Sequence, residues 1–290
     1  MNSSRILANS VLVFVTFVWG ATFTLTKAAL VVMPVFPYLT IRFLLATAAM
    51  SLFFVRGHDH RQGFRNYRLW LVGTVLGFLL FMGYALQTLG LQTVAPAISA
   101  FLTGLADILV PILAIFFLHQ KSRWRTWASA LIAVMGLGLL NGIHQLGHFS
   151  VGTIYTLTCA VFWAFQIVAV DKWAKSYDAI SLTTIELLVV TLLSFVASLH
   201  AGWNDFQTWS SPVVILAVTI NGLLGTALAY WAQLHFQRLT SAMYVAVIFT
   251  MEPVFAAVVA FTLYHETMGI LQLLGGLLIV LSMLIAEAAG

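Results

Sequence analysis

Charged residues are scarce in this chain, at 8% of 290 residues, whereas a soluble domain carries about 25%. So few charges cannot cover the surface of an ordinary soluble domain, and 61% of the residues are hydrophobic. Apolar runs long enough to cross a bilayer, about 20 residues at helical rise, follow one another with short polar breaks. The composition therefore predicts an integral membrane protein.

Cysteine and enzyme motifs are scarce or missing as well. The single Cys159 can form neither an intramolecular disulfide nor a CxxC metal site. The sequence has no GxSxG elbow, no HExxH helix and no paired-aspartate motif for magnesium and diphosphate. His58-Asp59-His60 lies in a basic loop without further nearby ligands, which favours a solvated loop over a metal site. We expect a protein that is not an enzyme and needs no cofactor.

The apolar runs predict an all-α fold of ten transmembrane helices. Their continuous apolar character argues against a barrel, whose strands would be short and alternating. The predicted spans are 6–28, 35–55, 68–90, 95–118, 124–141, 151–171, 180–200, 212–234, 240–262 and 267–287.

The basic residues predict the orientation of these spans, because Lys and Arg concentrate in cytoplasmic loops. With a cytoplasmic N-terminus, eleven of the thirteen basic residues fall on the inner side, and the two left over, Lys27 and Arg42, fall inside or at the end of predicted spans. We therefore expect both termini in the cytoplasm and a location in the cell inner membrane. Arg-rich loops next to a bilayer contact anionic lipid, so nucleic acid is not expected as a partner.

The two halves of the chain look like copies of one unit. They are 1–142 and 143–290, and each contains five predicted spans. The motifs that align are Phe17-Val18-Trp19-Gly20 with Val161-Phe162-Trp163-Ala164, Tyr84-x-x-Gln87 with Tyr230-x-x-Gln233, and Phe117-Leu118-His119-Gln120 with Leu263-Tyr264-His265-Glu266. Because five is odd, the second copy must be inverted, which is typical of transporters that open alternately to each side.

The order of several motifs resembles the EamA type of the drug/metabolite transporter superfamily. These are Trp19-Gly20-Ala21-Thr22-Phe23 with Lys27, Arg42-Phe43-Leu44-Leu45-Ala46, Phe101-Leu102-Thr103-Gly104-Leu105 before Val110-Pro111, Met251-Glu252-Pro253-Val254-Phe255 and Leu273-Leu274-Gly275-Gly276. The resemblance implies ten helices in two inverted five-helix repeats, with helices 1, 3, 4, 6, 8 and 9 around a central cavity. It also implies export of amino acids and other metabolites.

Two acidic residues are candidates for coupling, since charge at mid-bilayer is costly and usually functional. Asp107 lies near the middle of span four and Glu252 near the middle of span nine. Either can meet a substrate ammonium group or take up a proton; the alternative is that each only stabilises a helix. Pro111 and Pro253 interrupt the same two spans and predict bends, as hinges or as static kinks.

Aromatic and amide side chains are the other candidates for substrate binding. Aromatic rings can stack on a planar solute or hold a cation, and glutamine both donates and accepts hydrogen bonds. For each residue the alternative is helix packing. Arg42 and Glu186 are expected to have structural or gating roles, because their helices are not expected to line the cavity. The substrate-binding candidates are Trp19, Tyr84, Gln87, Phe101, Asp107, Trp163, Gln166, Tyr230, Gln233 and Tyr244.

Together these observations predict a monomeric secondary transporter that exports a small organic metabolite by alternating access, with the proton as a candidate coupling ion. A carrier for quaternary amines or other lipophilic cations is the alternative, because acids and aromatic rings also receive a cation. An intramembrane enzyme or a channel fits less well. Inverted repeats with bent central helices favour alternating access over a fixed pore.

Overall fold

The computed structural model describes residues 3–56, 66–94, 96–120, 124–141, 150–200, 203, 209–264 and 269–287. Within these ranges the regular structure is entirely helical. The His58-Asp59-His60 motif lies outside the described residues. The fold class is therefore all-α, as the continuous apolar runs predict.

Six helices lie among the described residues of the first half of the chain. The helix α3 begins after Asn66, whose side chain accepts a hydrogen bond from the Arg68 backbone nitrogen at 3.0 Å. Predicted span four is divided into two shorter helices at Leu105. The six are α1 Ser3–Val32, α2 Val35–Arg56, α3 Tyr67–Thr93, α4 Pro96–Gly104, α5 Ala106–Leu118 and α6 Trp124–Asn141.

Where the structure describes the second half, it has seven α-helices, one π-helical segment and the short 3-10 turn Ala174–Ser176. Ser150 and Asp178 cap the first two helices with side-chain oxygens, and Pro212 occupies the first turn of the third. Predicted span nine is divided between Phe249 and Glu252. The helices are α7 Val151–Trp173, α8 Ala179–Ser198, α9 Pro212–Gly222, α10 Ala229–Gln237, α11 Ala242–Phe249, α12 Glu252–Tyr264 and α13 Ile270–Glu287, and the π-helical segment Leu223–Leu228 joins α9 to α10.

In the described ranges, six helical segments are long and apolar enough to cross a membrane. They correspond to α1, α2, α3, α7, α8 and the continuous stretch from α9 to α10. The remaining apolar helices are shorter: Leu102–Leu118, Trp127–Gly136, Ala242–Ala256 and Leu273–Ser282. A chain with this many apolar helices is a multi-pass membrane protein.

The two helix breaks differ from the bends expected at proline. The first break is at Leu105, and Pro111 lies inside α5 rather than at the interruption. The second break is at Thr250 and Met251, and Pro253 is the second residue of α12. Proline lacks an N–H donor, so near the start of a helix it removes little hydrogen bonding.

Glycine lets the long helices approach closely. A Cβ atom at Gly77 of α3 would lie 2.7 Å from the backbone oxygen of Glu186 in α8. A Cβ atom at Gly136 of α6 would lie 2.7 Å from the backbone oxygen of Gly275 in α13. Inside lipid, such small-residue contacts supply the van der Waals packing that holds helices together.

Replacing Gly77 with valine should destabilise the fold, because the new side chain overlaps the α8 backbone and Val189. We expect Gly77→Val to lower the free energy of unfolding by about 1–3 kcal/mol, the usual effect of overpacking. The measurement is thermal unfolding of the purified protein in detergent. The control is Val75→Ile, a lipid-facing change on the same helix, and equal melting temperatures of the two variants would contradict this packing.

Candidate functional site

A cavity lies among the helices at the two breaks and beside the π-helical segment. Its empty volume, including the part open to the outside, is about 800 Å³. Residues from both halves line it, on α1, α2, α3, α4, α5, α7, α9, α10, α11 and α12. The site is therefore shared between the two halves of the chain.

Most residues selected from the sequence meet in this cavity. They come from both halves, although up to 234 positions separate them in the chain. Those that line the cavity are Trp19, Tyr84, Gln87, Asp107, Trp163, Gln166, Tyr230, Gln233, Glu252 and Pro253.

The structure does not place the three remaining selected residues at the cavity. Pro111 is buried in α5 and is not among the lining residues. Tyr244 also does not line the cavity; its hydroxyl accepts a hydrogen bond from Asn9 at 3.3 Å. The side chain of Phe101 lies outside the described residues.

Aromatic rings that contact one another form one wall of the cavity. The Tyr84 ring lies edge-on to Trp163, with centroids 5.0 Å apart, and 6.1 Å from Tyr230. The Trp19 ring lies 5.6 Å from Tyr230 and 5.0 Å from Phe249. Tyr84 belongs to the first half of the chain, whereas Trp163 and Tyr230 belong to the second, so these ring contacts join the two halves.

Glycine determines where the Trp163 ring lies. A Cβ atom at Gly83 would come within 3.0 Å of Cε2 of Trp163. The indole therefore packs directly on the α3 backbone, one residue before Tyr84.

Arg42 is the residue that the sequence interpretation placed incorrectly. The expectation that α2 contributes nothing to the cavity is wrong, because Arg42 is buried and lines it. Its Nε donates to the Thr226 hydroxyl at 2.9 Å, and its Nη2 donates to the Tyr84 hydroxyl at 3.0 Å. Its Cζ lies 4.5 Å from the centroid of the Tyr84 ring, a cation–π contact. The signal that could have found it was the charge itself within an apolar span.

A chain of amide side chains leads away from the cavity. The Gln233 amide donates to Gln166 at 3.0 Å and to Gln237 at 3.2 Å. Gln166 in turn donates to Oε1 of Glu186 at 3.2 Å. Glu186 is fully buried in α8 and does not line the cavity, but it is connected to the cavity through Gln166.

The two acidic residues of the cavity follow the two helix breaks. Asp107 is the second residue of α5, and Glu252 is the first residue of α12. Carboxylates are favoured in the first turn of a helix, where the backbone N–H groups are unpaired. The two carboxyl groups are near enough to interact electrostatically, so two negative charges would repel each other.

The described part of the chain holds no cluster of three or more His, Cys, Asp or Glu side chains suited to a metal ion. Cys159 is buried, and its thiol donates to the Thr156 backbone oxygen at 2.9 Å. Gln87 bonds the Thr103 hydroxyl at 3.3 Å and thereby ties α3 to α4. The arrangement offers aromatic faces, hydrogen-bonding groups and charges of both signs for binding a small molecule.

A multi-pass helical protein with a polar and aromatic cavity between its halves has the construction of a membrane carrier. The EamA-like transporter family matches residues 6–142 and again 150–287. The chain therefore belongs to the EamA-like transporter family, whose members are transporters and not enzymes.

Relatives carry transporter names. An uncharacterized transporter of Archaeoglobus fulgidus is 27% identical over 98% of this chain and 86% of its own length. The uncharacterized transporter YvbV of Bacillus subtilis is 23% identical over 93% of this chain and 88% of its own length. An S-adenosylmethionine uptake transporter of Rickettsia felis is 28% identical over 47% of this chain and 44% of its own length.

A solved crystal structure of another protein has the same fold. The two superpose with a TM-score of 0.77 over 97% of this chain and 96% of that one. Their sequences are 19% identical, so the likeness concerns the fold alone.

Cysteine labelling tests the water access of the cavity. Gly104 lines the cavity and is partly exposed, whereas native Cys159 is fully buried. We expect a charged, water-soluble thiol reagent to label Gly104→Cys and to leave the native protein unlabelled, measured by intact-protein mass spectrometry.

The matched control is Ala160→Cys, which places the thiol at a buried position that does not line the cavity. Labelling of the control or of Cys159 as fast as Gly104→Cys would contradict this description of the cavity.

Proposed function

We propose that the chain is a secondary transporter that moves a small organic metabolite, such as an amino acid, by alternating access. The observation that carries this proposal is the cavity shared by both halves, with rings, amides and charges that meet only in the folded chain. Family membership supports transport, and the chemistry of the cavity supports the substrate class.

The architecture we propose is ten membrane crossings in two inverted five-helix repeats, 1–142 and 143–290. The family match to each half supports this division. The helix contacts support it as well. Helix α2 packs against α8, and α6 packs against α13; in each pair the two helices hold equivalent positions in the two repeats. The contact of α3 with α7 likewise corresponds to that of α1 with α9 and α10.

We propose that both termini lie in the cytoplasm and that the membrane is the cell inner membrane. The support is the distribution of Lys and Arg, because almost all of them fall in the connections assigned to one side. The protein would then act as a monomer with the bilayer as its environment.

The roles we assign to the cavity residues follow from their chemistry. The rings of Trp19, Tyr84, Trp163 and Tyr230 bind the apolar part of the solute, and Gln87, Gln166 and Gln233 provide hydrogen bonds. Asp107 and Glu252 bind an ammonium group or take up a proton during the cycle. Their positions beside the two helix breaks would couple charge to movement of α5 and α12.

Export is the direction we propose, as the family resemblance implies. The Rickettsia felis relative is named for uptake, so the direction has to be measured in both senses. The second candidate function is efflux of lipophilic cations, which the two acids and the aromatic wall would support. The buried charge of Arg42 in the same cavity opposes that alternative, because it repels a cation.

Reconstitution distinguishes a carrier from a channel. We expect saturable exchange of a labelled amino acid between the inside and outside of liposomes that contain the purified protein, because the solute must bind in the cavity at each turnover. Liposomes without protein are the control. An unsaturable, ohmic current would instead identify a channel.

Neutralising Asp107 should change the pH dependence of transport if this residue exchanges a proton. We expect Asp107→Asn to flatten the pH profile of exchange in liposomes, and Glu252→Gln to have a smaller or similar effect. The control is Asp171→Asn, a buried acid that bonds Gln120 at 2.7 Å away from the cavity. An unchanged rate and pH profile in Asp107→Asn would contradict the coupling role.

A further inference from the structure

One end of the cavity contains a buried cation without an acidic partner. Arg42 is 4% exposed, and its neighbours are Thr226, Tyr84 and further tyrosines. No carboxylate of the described residues makes an ion pair with it. A charge buried in a membrane protein is normally compensated, so the site lacks a negative group that a ligand can supply.

The guanidinium retains hydrogen-bonding capacity for such a ligand. A guanidinium has about five N–H donors in a planar fork that matches the two oxygens of a carboxylate. The bonds to Thr226 and Tyr84 hold the group in place through Nε and Nη2. The fork is therefore fixed before any ligand arrives, which lowers the entropy lost on binding.

Asn221 is a second, independent sign of a missing ligand. It lines the cavity and is 1% exposed, yet neither its Nδ2 nor its Oδ1 has a hydrogen-bond partner. Buried amides are almost always hydrogen-bonded, and an unpaired one is costly. Oδ1 is the amide atom that faces Gly225, but neither amide atom is bonded, so a half-turn of the amide group brings its N–H₂ donor to an anionic oxygen at that place.

Arg42 and Asn221 converge on one point above Gly225. A Cβ atom built there would lie 3.5 Å from Oδ1 of Asn221, 3.5 Å from the Thr22 hydroxyl and 3.8 Å from Nη2 of Arg42. Gly225 has no side chain, so no atom beyond its Cα separates the Asn221 amide from the guanidinium there. It lies in the π-helical segment Leu223–Leu228, a type of helix defect that is frequent at functional sites.

We propose that Arg42 and Asn221 form a subsite for the carboxylate of the transported solute, which makes the substrate a carboxylate-bearing metabolite. This inference rests on the proposed function and deepens it. The carboxylate lies over Gly225 between the guanidinium and the amide, and the apolar part of the solute lies on Trp19 and Tyr84. An ammonium group then meets Asp107 or Glu252, on α5 and α12, so the full site fits a zwitterion with an apolar side chain.

The test compares solutes that differ only in charge. The probes are L-phenylalanine, its amide, which lacks the carboxylate, and 3-phenylpropionate, which lacks the ammonium group; L-leucine and L-leucinamide form a second pair. Binding is measured as ligand-induced thermal stabilisation of the purified protein, and transport as exchange in liposomes. Inorganic phosphate alone is a further arm, since it distinguishes a free anion from a solute carboxylate.

The decisive variant is Asn221→Asp, which places an internal carboxylate beside Arg42 and so competes with that of the solute. We expect the native protein to bind the carboxylate of each pair at least tenfold more tightly than the amide. We expect Asn221→Asp to lose this preference while it melts at or above the native temperature, because it pairs the buried cation. Arg42→Lys should weaken carboxylate binding, since lysine lacks the fork.

The matched control is Thr47→Val on the same helix as Arg42. Thr47 is buried and bonds Thr191 at 3.0 Å, but it does not line the cavity. This variant should keep the native preference for carboxylates.

Three results would overturn the subsite: amides that bind as tightly as their carboxylates, a folded Asn221→Asp that keeps the native preference, or no binding of any carboxylate probe. Binding of phosphate without discrimination within the pairs would also overturn it. If liposomes exchange only the amides, and do so saturably, the transport proposal stands and the carboxylate subsite is refuted. If carboxylates bind, Asn221→Asp abolishes that binding and no solute is exchanged, the subsite stands and the transport proposal is refuted.

Discussion

The hydrocarbon core of a membrane contains no water to bond the polar groups of a protein. Each buried N–H, C=O, hydroxyl or charge must therefore find a partner inside the chain or line an internal cavity. This constraint explains where the helices of the protein are irregular. The interruptions at Leu105, at Thr250 and Met251, and along Leu223–Leu228 all lie beside the same cavity.

The same constraint explains how the halves are connected. Arg42 and Tyr84 of the first half bond Thr226 and Tyr230 of the second, the last contact being 3.1 Å between the tyrosine hydroxyls. The Trp19 indole donates to the Gly225 backbone oxygen at 2.9 Å. Apolar helices in lipid have little hydrophobic reason to associate, so these bonds and the glycine contacts determine how the halves fit. A rocking movement has to exchange such bonds.

Some buried polar groups of the described residues have no hydrogen-bond partner within the protein. Asn221 and Oε1 of Gln233 lie on the cavity, whereas Oε2 of Glu186 lies behind it. A binding protein benefits from such incompleteness, because a solute that pairs these groups recovers the free energy lost when they were buried. Under the proposed function, these unpaired groups favour polar solutes that carry matching groups.

The sequence by itself determined the membrane location, the helical class and most of the candidate residues. Long apolar runs leave no other stable structure in lipid, and a polar or charged residue within such a run needs an internal environment. Trp19, Asp107, Gln166 and Glu252 are candidates from the sequence alone, and in the structure all four line the cavity.

Only the tertiary structure decided which way each helix faces. A soluble helix shows its buried side as an apolar stripe, but α3 and α7 are apolar all round, so no periodicity indicates their rotation. Arg42 was assigned away from the cavity because the family resemblance does not place α2 there, and Tyr244 was assigned to it although its hydroxyl bonds Asn9. The sequence indicated only that Asn221 is a polar residue within an apolar span, because an unpaired amide becomes visible only when every possible partner has a position.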